Sequence, residues 1–265
     1  MLPTGTDAGS CRAAAIGGSL RAARGVEVRA GDFADPTGLA RVFAGSDRVL
    51  IVSADKLGEE ALRLHRGAIA AAREAGVARV LYTSHMGARA DSPFAPAAQH
   101  AGTEANLADS GLAYTALRHG FYSESCLHMI GDGLRAGELR VPEDGPVSWT
   151  ARGDLVEADA AILAGEALWD GPTPPLTAAR ALTMAEVAAL ASEVTGREVR
   201  HVTVREDEWR DAKIAAGMPA FVAEMLLGTF RASRRGDFAA TDPTLETLLG
   251  RSLRTMREAL VAAGL

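Results

Sequence analysis

The sequence predicts an α/β fold, a mostly parallel sheet with helices on both faces and a small, mainly helical subdomain attached. Three observations carry this. Short runs rich in β-branched residues alternate with longer stretches of helical periodicity, the pattern of repeated strand-helix-strand units. One run, Asp47-Arg-Val-Leu-Ile-Val-Ser-Ala-Asp55, is apolar without interruption, which fits a strand buried on both faces. Finally, 265 residues with 48% hydrophobic and only 5% aromatic content suffice for a sizeable core of Ala, Val and Leu.

Taken in order, Gly25-Val-Glu-Val-Arg29 reads as a strand, followed by a helix from Pro36 to Phe43 and then the apolar strand ending near Ser53. A helix is expected from Leu57 to Ala75. Leu57, Ala61, Leu64, Ala68, Ile69 and Ala72 share one face, and Gly76 supplies the stop. The strand Arg79-Val-Leu-Tyr-Thr-Ser84 comes next, with a polar loop through Pro93 and Pro96, a helix from about Gln99 to Asp109, and the strand Leu112 to Arg118. Beyond Tyr122 the rhythm changes. Glycines bracket a short strand near Leu139 to Val141, a helix runs from about Arg152 to Leu168, and the last third is mainly helical. Thr183 with Glu186 three residues on is a capping-box pattern opening a helix, and Arg197 to Val204 reads as a strand. The expected division is a dinucleotide-binding core over residues 1–130 and a substrate-side subdomain over 131–265, intertwined as one unit.

A doubly wound sheet normally opens with a strand, a glycine-rich turn and a helix, because backbone amides at that turn approach a pyrophosphate. None of the 28 glycines forms such a motif, and the 24 residues before Gly25 are too few for a strand-helix-strand unit of about 30. The core is therefore expected to lack its first strand and helix. Three origins stay open: a misassigned start with the missing segment in an upstream or shifted frame, a real truncation, or a chain turned to another role.

The formal net charge of −6, with arginines scattered rather than clustered, argues against a nucleic-acid surface and points to small-molecule partners. Cys11 and Cys126 have neither disulfide-framework nor metal-ligand spacing, so a reduced protein without a metal is expected. No apolar run reaches the roughly 18 residues of a membrane span, and no signal segment opens the chain. The expected location is the cytoplasm, with a homodimer left open as the assembly.

Ligands of open sheets bind outside the carboxyl ends of the strands, which selects candidate residues. Ser53 and Ala54 end one strand, where Ser53 reads either as a ribose or phosphate contact or as a loop-capping serine. Thr83, Ser84 and His85 end the next. His100 and Glu104 stand one helical turn apart, so an imidazole held by a carboxylate could donate a proton, or the pair could only orient the preceding loop. His65, on the apolar side of its helix, reads as a core histidine.

From Gly25 onward the segments GVEVRAGDFADP, RVLIVSAD, HRGAIAAAREAGVARVLYTS, HAGTEANLADSGLAYTALRHGFYSES and GRSLRTMREAL resemble the NmrA-like atypical short-chain dehydrogenases. Among these they are most similar to the type 2 NAD(P)H:quinone oxidoreductases and their triphenylmethane-reductase relatives. The resemblance implies a Rossmann-like fold and NADP or NAD as cofactor, bound weakly if the glycine loop is missing. It also implies hydride transfer to a quinone-like or dye-like small molecule without a flavin. The alternatives are a redox-sensing regulator that binds nicotinamide nucleotide without turnover, and an inactive truncated member. By resemblance, Asp32 and Phe33 would lie against the adenine, with a turn acid beside a packed ring as the other reading. Arg12 would stand nearest the Arg that meets an NADP 2′-phosphate. Ser84 would occupy the place of a catalytic serine, although no Tyr-x-x-x-Lys pair accompanies it. His119, Gly120, Phe121, Tyr122, Ser123 and Glu124 would border the nicotinamide and acceptor. There Gly120 would admit a ring against the backbone, and Tyr122 would bond an acceptor oxygen.

Overall fold

The computed structural model describes residues 27–165, 167 and 169–264. Its central sheet holds β1 (Arg48–Ile51), β2 (Arg79–His85), β3 (Ala113–His119) and β7 (Gly171–Pro172), all parallel and in the order β1-β2-β3-β7. Period-two alternation along these strands feeds two cores. Val49, Ile51, Val80 and Tyr82 face α1 (Pro36–Phe43), α2 (Gly58–Glu74) and α3 (Ala95–Asp109). Leu81 and Leu117 face the opposite way, onto α5 (Arg152–Ala164) and α9 (Thr244–Leu249). The expected α/β architecture with a mostly parallel sheet is thus present.

A third core holds the later elements: α4 (Ser123–Ala136), α6 (Met184–Thr195), α7 (Glu206–Ala215), α8 (Ala220–Arg234) and α10 (Met256–Ala262) pack around Trp149, Phe230 and Phe238. Two small parallel pairs belong here: β4 (Phe121–Tyr122) with β6 (Trp149–Thr150), and β5 (Glu138–Pro142) with β8 (Arg200–Val204). The chain passes from β3 to β4 through the single residue Gly120, so the end of the central sheet leads straight into the second layer. That short connection sets residues 119–122 at the junction of the two layers.

Several expectations need correction. The described part of the Gly25–Arg29 run, from Glu27, is not a strand: no described strand lies beside it, and Arg29 instead donates to the carbonyls of Val42 and Ala44 at 2.8 Å each. β1 is an edge among the described residues, so Leu50 is half-buried and Val52 is 60% exposed rather than enclosed. α3 begins four residues earlier than expected, because Pro96 sits in its first turn, where a missing N–H costs nothing. α5 stops at Ala164, because Gly165 takes the left-handed cap conformation at φ 92°. Arg12 and the N-terminal segment expected to lack a glycine loop lie outside the described residues.

Candidate functional site

The carboxyl ends of β1, β2 and β3 open onto a cleft of about 370 Å3. Register explains the convergence. Ile51 pairs with Tyr82, Ser84 with Arg118 and His85 with His119, so the residues after each strand emerge side by side. Ser53, Ala54, Thr83, Ser84 and His100 line one side, and His119, Gly120, Phe121 and Tyr122 the other. With His85, ten of the candidate residues named from the sequence therefore meet at one place. Ser53 N donates to Thr83 Oγ1 at 2.9 Å, and Ala54 N donates to His65 Nε2 at 3.0 Å. Because that nitrogen accepts, the His65 proton belongs on Nδ1, 2.9 Å from Thr103 Oγ1. His65 is the satisfied core histidine expected, and burial holds its pKa down to about 4.

The expected His100 and Glu104 pair is not formed. Glu104 accepts from Arg118 Nε at 3.0 Å and Nη2 at 2.7 Å and from Ser84 Oγ at 2.6 Å. A bidentate guanidinium contact is charge-assisted and outcompetes an imidazole for the carboxylate. His100 Nδ1 lies 2.8 Å from the Tyr82 hydroxyl instead. Burial first, then His85, His65 and His119, lower the His100 pKa well below its ordinary value, so the ring is neutral near pH 7. Ser84 lines the cleft, but its hydroxyl proton is directed at Glu104 in a buried network.

The far wall is aromatic. His85 sits edge-on to Phe121 and Phe238 at 5.2 and 5.3 Å, and stacks on His100 at 5.9 Å with 20° between the planes. Its Nδ1 accepts from Gly87 N at 3.0 Å, and burial, then His119, push its pKa down to about 3. Phe94 completes this wall, 5.4 Å from Phe121. Tyr122 closes the cleft beside it. Its hydroxyl lies 3.3 Å from His119 Nδ1, while His119 Nε2 lies 2.8 Å from Asp159 Oδ1. Burial, then the charge of Asp159, raise the Tyr122 pKa, so the phenol keeps its proton at neutral pH. The Arg152 guanidinium, 5.1 Å from the ring centroid, opposes that rise.

The remaining candidates point elsewhere. A Cβ on Gly120 would overlap Thr150 Oγ1 and lie 3.1 Å from the Leu176 carbonyl, so glycine is required there by the fold's own packing. Ser123 and Glu124 line a separate cavity of about 560 Å3 beside α10, and Glu124 accepts from Arg152 N at 3.1 Å, bracing the first turn of α5. Asp32 accepts from Ala34 N at 2.8 Å in a turn and Phe33 packs on the α1–α3 core, with neither lining the cleft. Phe94 and Asp159 were not singled out, and His85 was named at its strand end without a role. Asp159, forty residues from His119, carries no local signal.

The NmrA-like family model matches residues 18–258. The chain belongs to the NmrA-like family. Quinone oxidoreductase 2 of Escherichia coli K12 is 32% identical over 240 residues, covering 90% of this chain and 83% of the relative. The crystal structure of an NADPH-dependent quinone oxidoreductase from E. coli, complexed with NADPH, superposes with a TM-score of 0.87 at 30% identity, over 94% of this chain and 87% of the other. Citrobacter sp. triphenylmethane reductase complexed with NADP(H) gives a TM-score of 0.84 at 30% identity, over 92% and 86%. In this NmrA-like chain the matched span includes every strand of the central sheet and the whole cleft.

Proposed function

We propose that the protein is an NAD(P)H-dependent oxidoreductase that reduces a quinone-like or dye-like acceptor without a flavin. The observation that carries this is the cleft at the carboxyl ends of β1 to β3, lined by His85, Phe94 and Phe121 and bordered by Tyr122. Similarity to quinone and triphenylmethane reductases that are complexed with or dependent on NADP(H) supports the cofactor and the acceptor class.

The described residues fit the nicotinamide end of such a cofactor. Strand ends 52–54 and 83–85 line the cleft, and the backbone at 53–54 is fixed by Thr83 and His65 accepting from Ser53 N and Ala54 N. Bound there, the nicotinamide supplies the hydride. The chain's own residues orient and protonate. The aromatic wall offers apolar area against which a planar acceptor stacks, excluding water from the reacting face. Neutral His85 and His100 add no positive charge beside a donor that is losing an electron pair. Tyr122 holds its proton until negative charge develops on the acceptor oxygen, then donates it, with Arg152 over the ring favouring the phenolate left behind. Solvent restores the phenol.

The test is to incubate the purified, flavin-free protein with NADPH or NADH and to follow loss of the reduced nicotinamide with added quinones and triphenylmethane dyes. Oxidation that depends on the acceptor is expected. Nucleotide binding without turnover of any acceptor would overturn the reading.

A further inference from the structure

Behind Tyr122 stands a carboxylate that no part of the reaction above uses. Asp159 lies on α5 and is 6% exposed, and its one hydrogen-bonding partner among the described residues is His119 Nε2 at 2.8 Å. His119 is itself 3% exposed, and its Nδ1 lies 3.3 Å from the Tyr122 hydroxyl.

The donor inventory orders this chain. A carboxylate accepts, so the proton between Asp159 and His119 sits on Nε2. Nδ1 then bears a lone pair and accepts from the Tyr122 O–H. An imidazole with one nitrogen on a fixed carboxylate has neither a free tautomer nor a free ring angle. The Tyr122 oxygen is thereby held at the cleft while its O–H can turn in the ring plane from Nδ1 to an acceptor oxygen. A buried carboxylate costs free energy unless it is well partnered. The three residues also come from three elements, β3, β4 and α5, so the contact fixes the second layer of the cleft against the first.

We propose that Asp159 is a positioning residue: through His119 it sets the tautomer and ring orientation that aim the Tyr122 hydroxyl at the acceptor. The kinetic part rests on the proposed reductase reaction. The positioning itself does not.

Two measurements separate these. Nitrogen-15 spectra of the histidine side chains, with His119 assigned by its loss in His119→Gln, read the tautomer without cofactor or acceptor. The Nε2–H form is expected in the parent chain, and a shift towards mixed or Nδ1–H signals in Asp159→Leu. An Nδ1–H parent, or unchanged His119 signals in the variant, overturns the proposal. In turnover, Asp159→Leu should lower kcat on the order of tenfold or more, with the KM for nicotinamide nucleotide unchanged. Asp159→Asn, which keeps an acceptor oxygen, should recover part of that loss. In a Tyr122→Phe background the Leu substitution should change kcat by less than about twofold, since its effect runs through the missing hydroxyl. An equal loss in both backgrounds overturns the proposal. If the Leu variant fails to fold, the Asn variant is read in the same spectra and backgrounds. A parent chain that turns over no acceptor defeats the reductase reading alone, and the spectra still decide the positioning.

Discussion

Gly120 joins β3 to β4, and its missing side chain is filled by Thr150. The Thr150 hydroxyl cannot swing aside freely, because it donates to the Ser148 carbonyl and accepts from Ala178 N, both at 2.9 Å. Gly120→Ala is therefore expected to destabilise the fold by about 1–3 kcal/mol, the cost of overpacking a close contact. The urea midpoint should fall with its slope unchanged, and an unmoved midpoint would show that the junction yields to a methyl group. A glycine at a strand end reads from sequence as room for a ligand, but the same vacancy serves an internal neighbour, and only the coordinates of Thr150 decide between them. Glu104 makes the same point. Helical spacing gave it His100 as a partner, whereas Arg118 reaches it from the neighbouring strand β3 with two bonds.

At the scale of elements, local chemistry was legible where it was self-contained. The Thr183 capping box is present, with Glu186 N donating to Thr183 Oγ1 at 3.3 Å and Thr183 N donating to Glu186 Oε2 at 2.8 Å. A second box at Thr255 and Glu258 has the same T-x-x-E signature and opens α10, although it was not picked out beforehand. Thr183→Ala should cost about 1 kcal/mol. Since α6 packs through Met184, Val187, Ala188 and Ala191 into the later core and contributes no residue to the cleft lining, kcat should not move. A loss of kcat per folded molecule, measured beside the melting temperature, would show coupling between that core and the cleft. Strand assignment failed where an element depends on others, as Glu27 to Arg29 shows. Helical turns bond within themselves, but a strand exists only against a partner.

For the whole molecule, three histidines in and behind the cleft stay neutral in the folded chain. Burial lowers His65 from 6.5 to about 4 and His85 from 6.5 to about 3, and it lowers His100 well below 6.5 as well. Unfolded, each titrates near its ordinary value of about 6.5. Below that pH the unfolded chain takes up protons that the folded chain refuses, so stability is full above 6.5 and is lost as pH falls towards the folded values. Each group contributes a slope of up to about 1.4 kcal/mol per pH unit. The melting temperature should therefore drop between about pH 7 and about pH 5, before most carboxylates begin to titrate. A flat profile across that interval would show that the histidines accept protons in place.

Sequence by itself determined the α/β class, the parallel strands around Val49, Val80 and Ala116, the family, and the strand-end residues that border the cleft. The family follows from the resemblance of whole segments, and the rest from periodicity and from the rule that parallel strands deliver their carboxyl ends to one edge, both of which are written in consecutive residues. Tertiary structure alone decided which polar groups face one another: Arg118 on Glu104, Tyr82 on His100, and Asp159 behind His119 and Tyr122. Those pairings join residues that are distant in sequence or on different elements, and they are settled by competition among every donor and acceptor that the folded chain brings within reach.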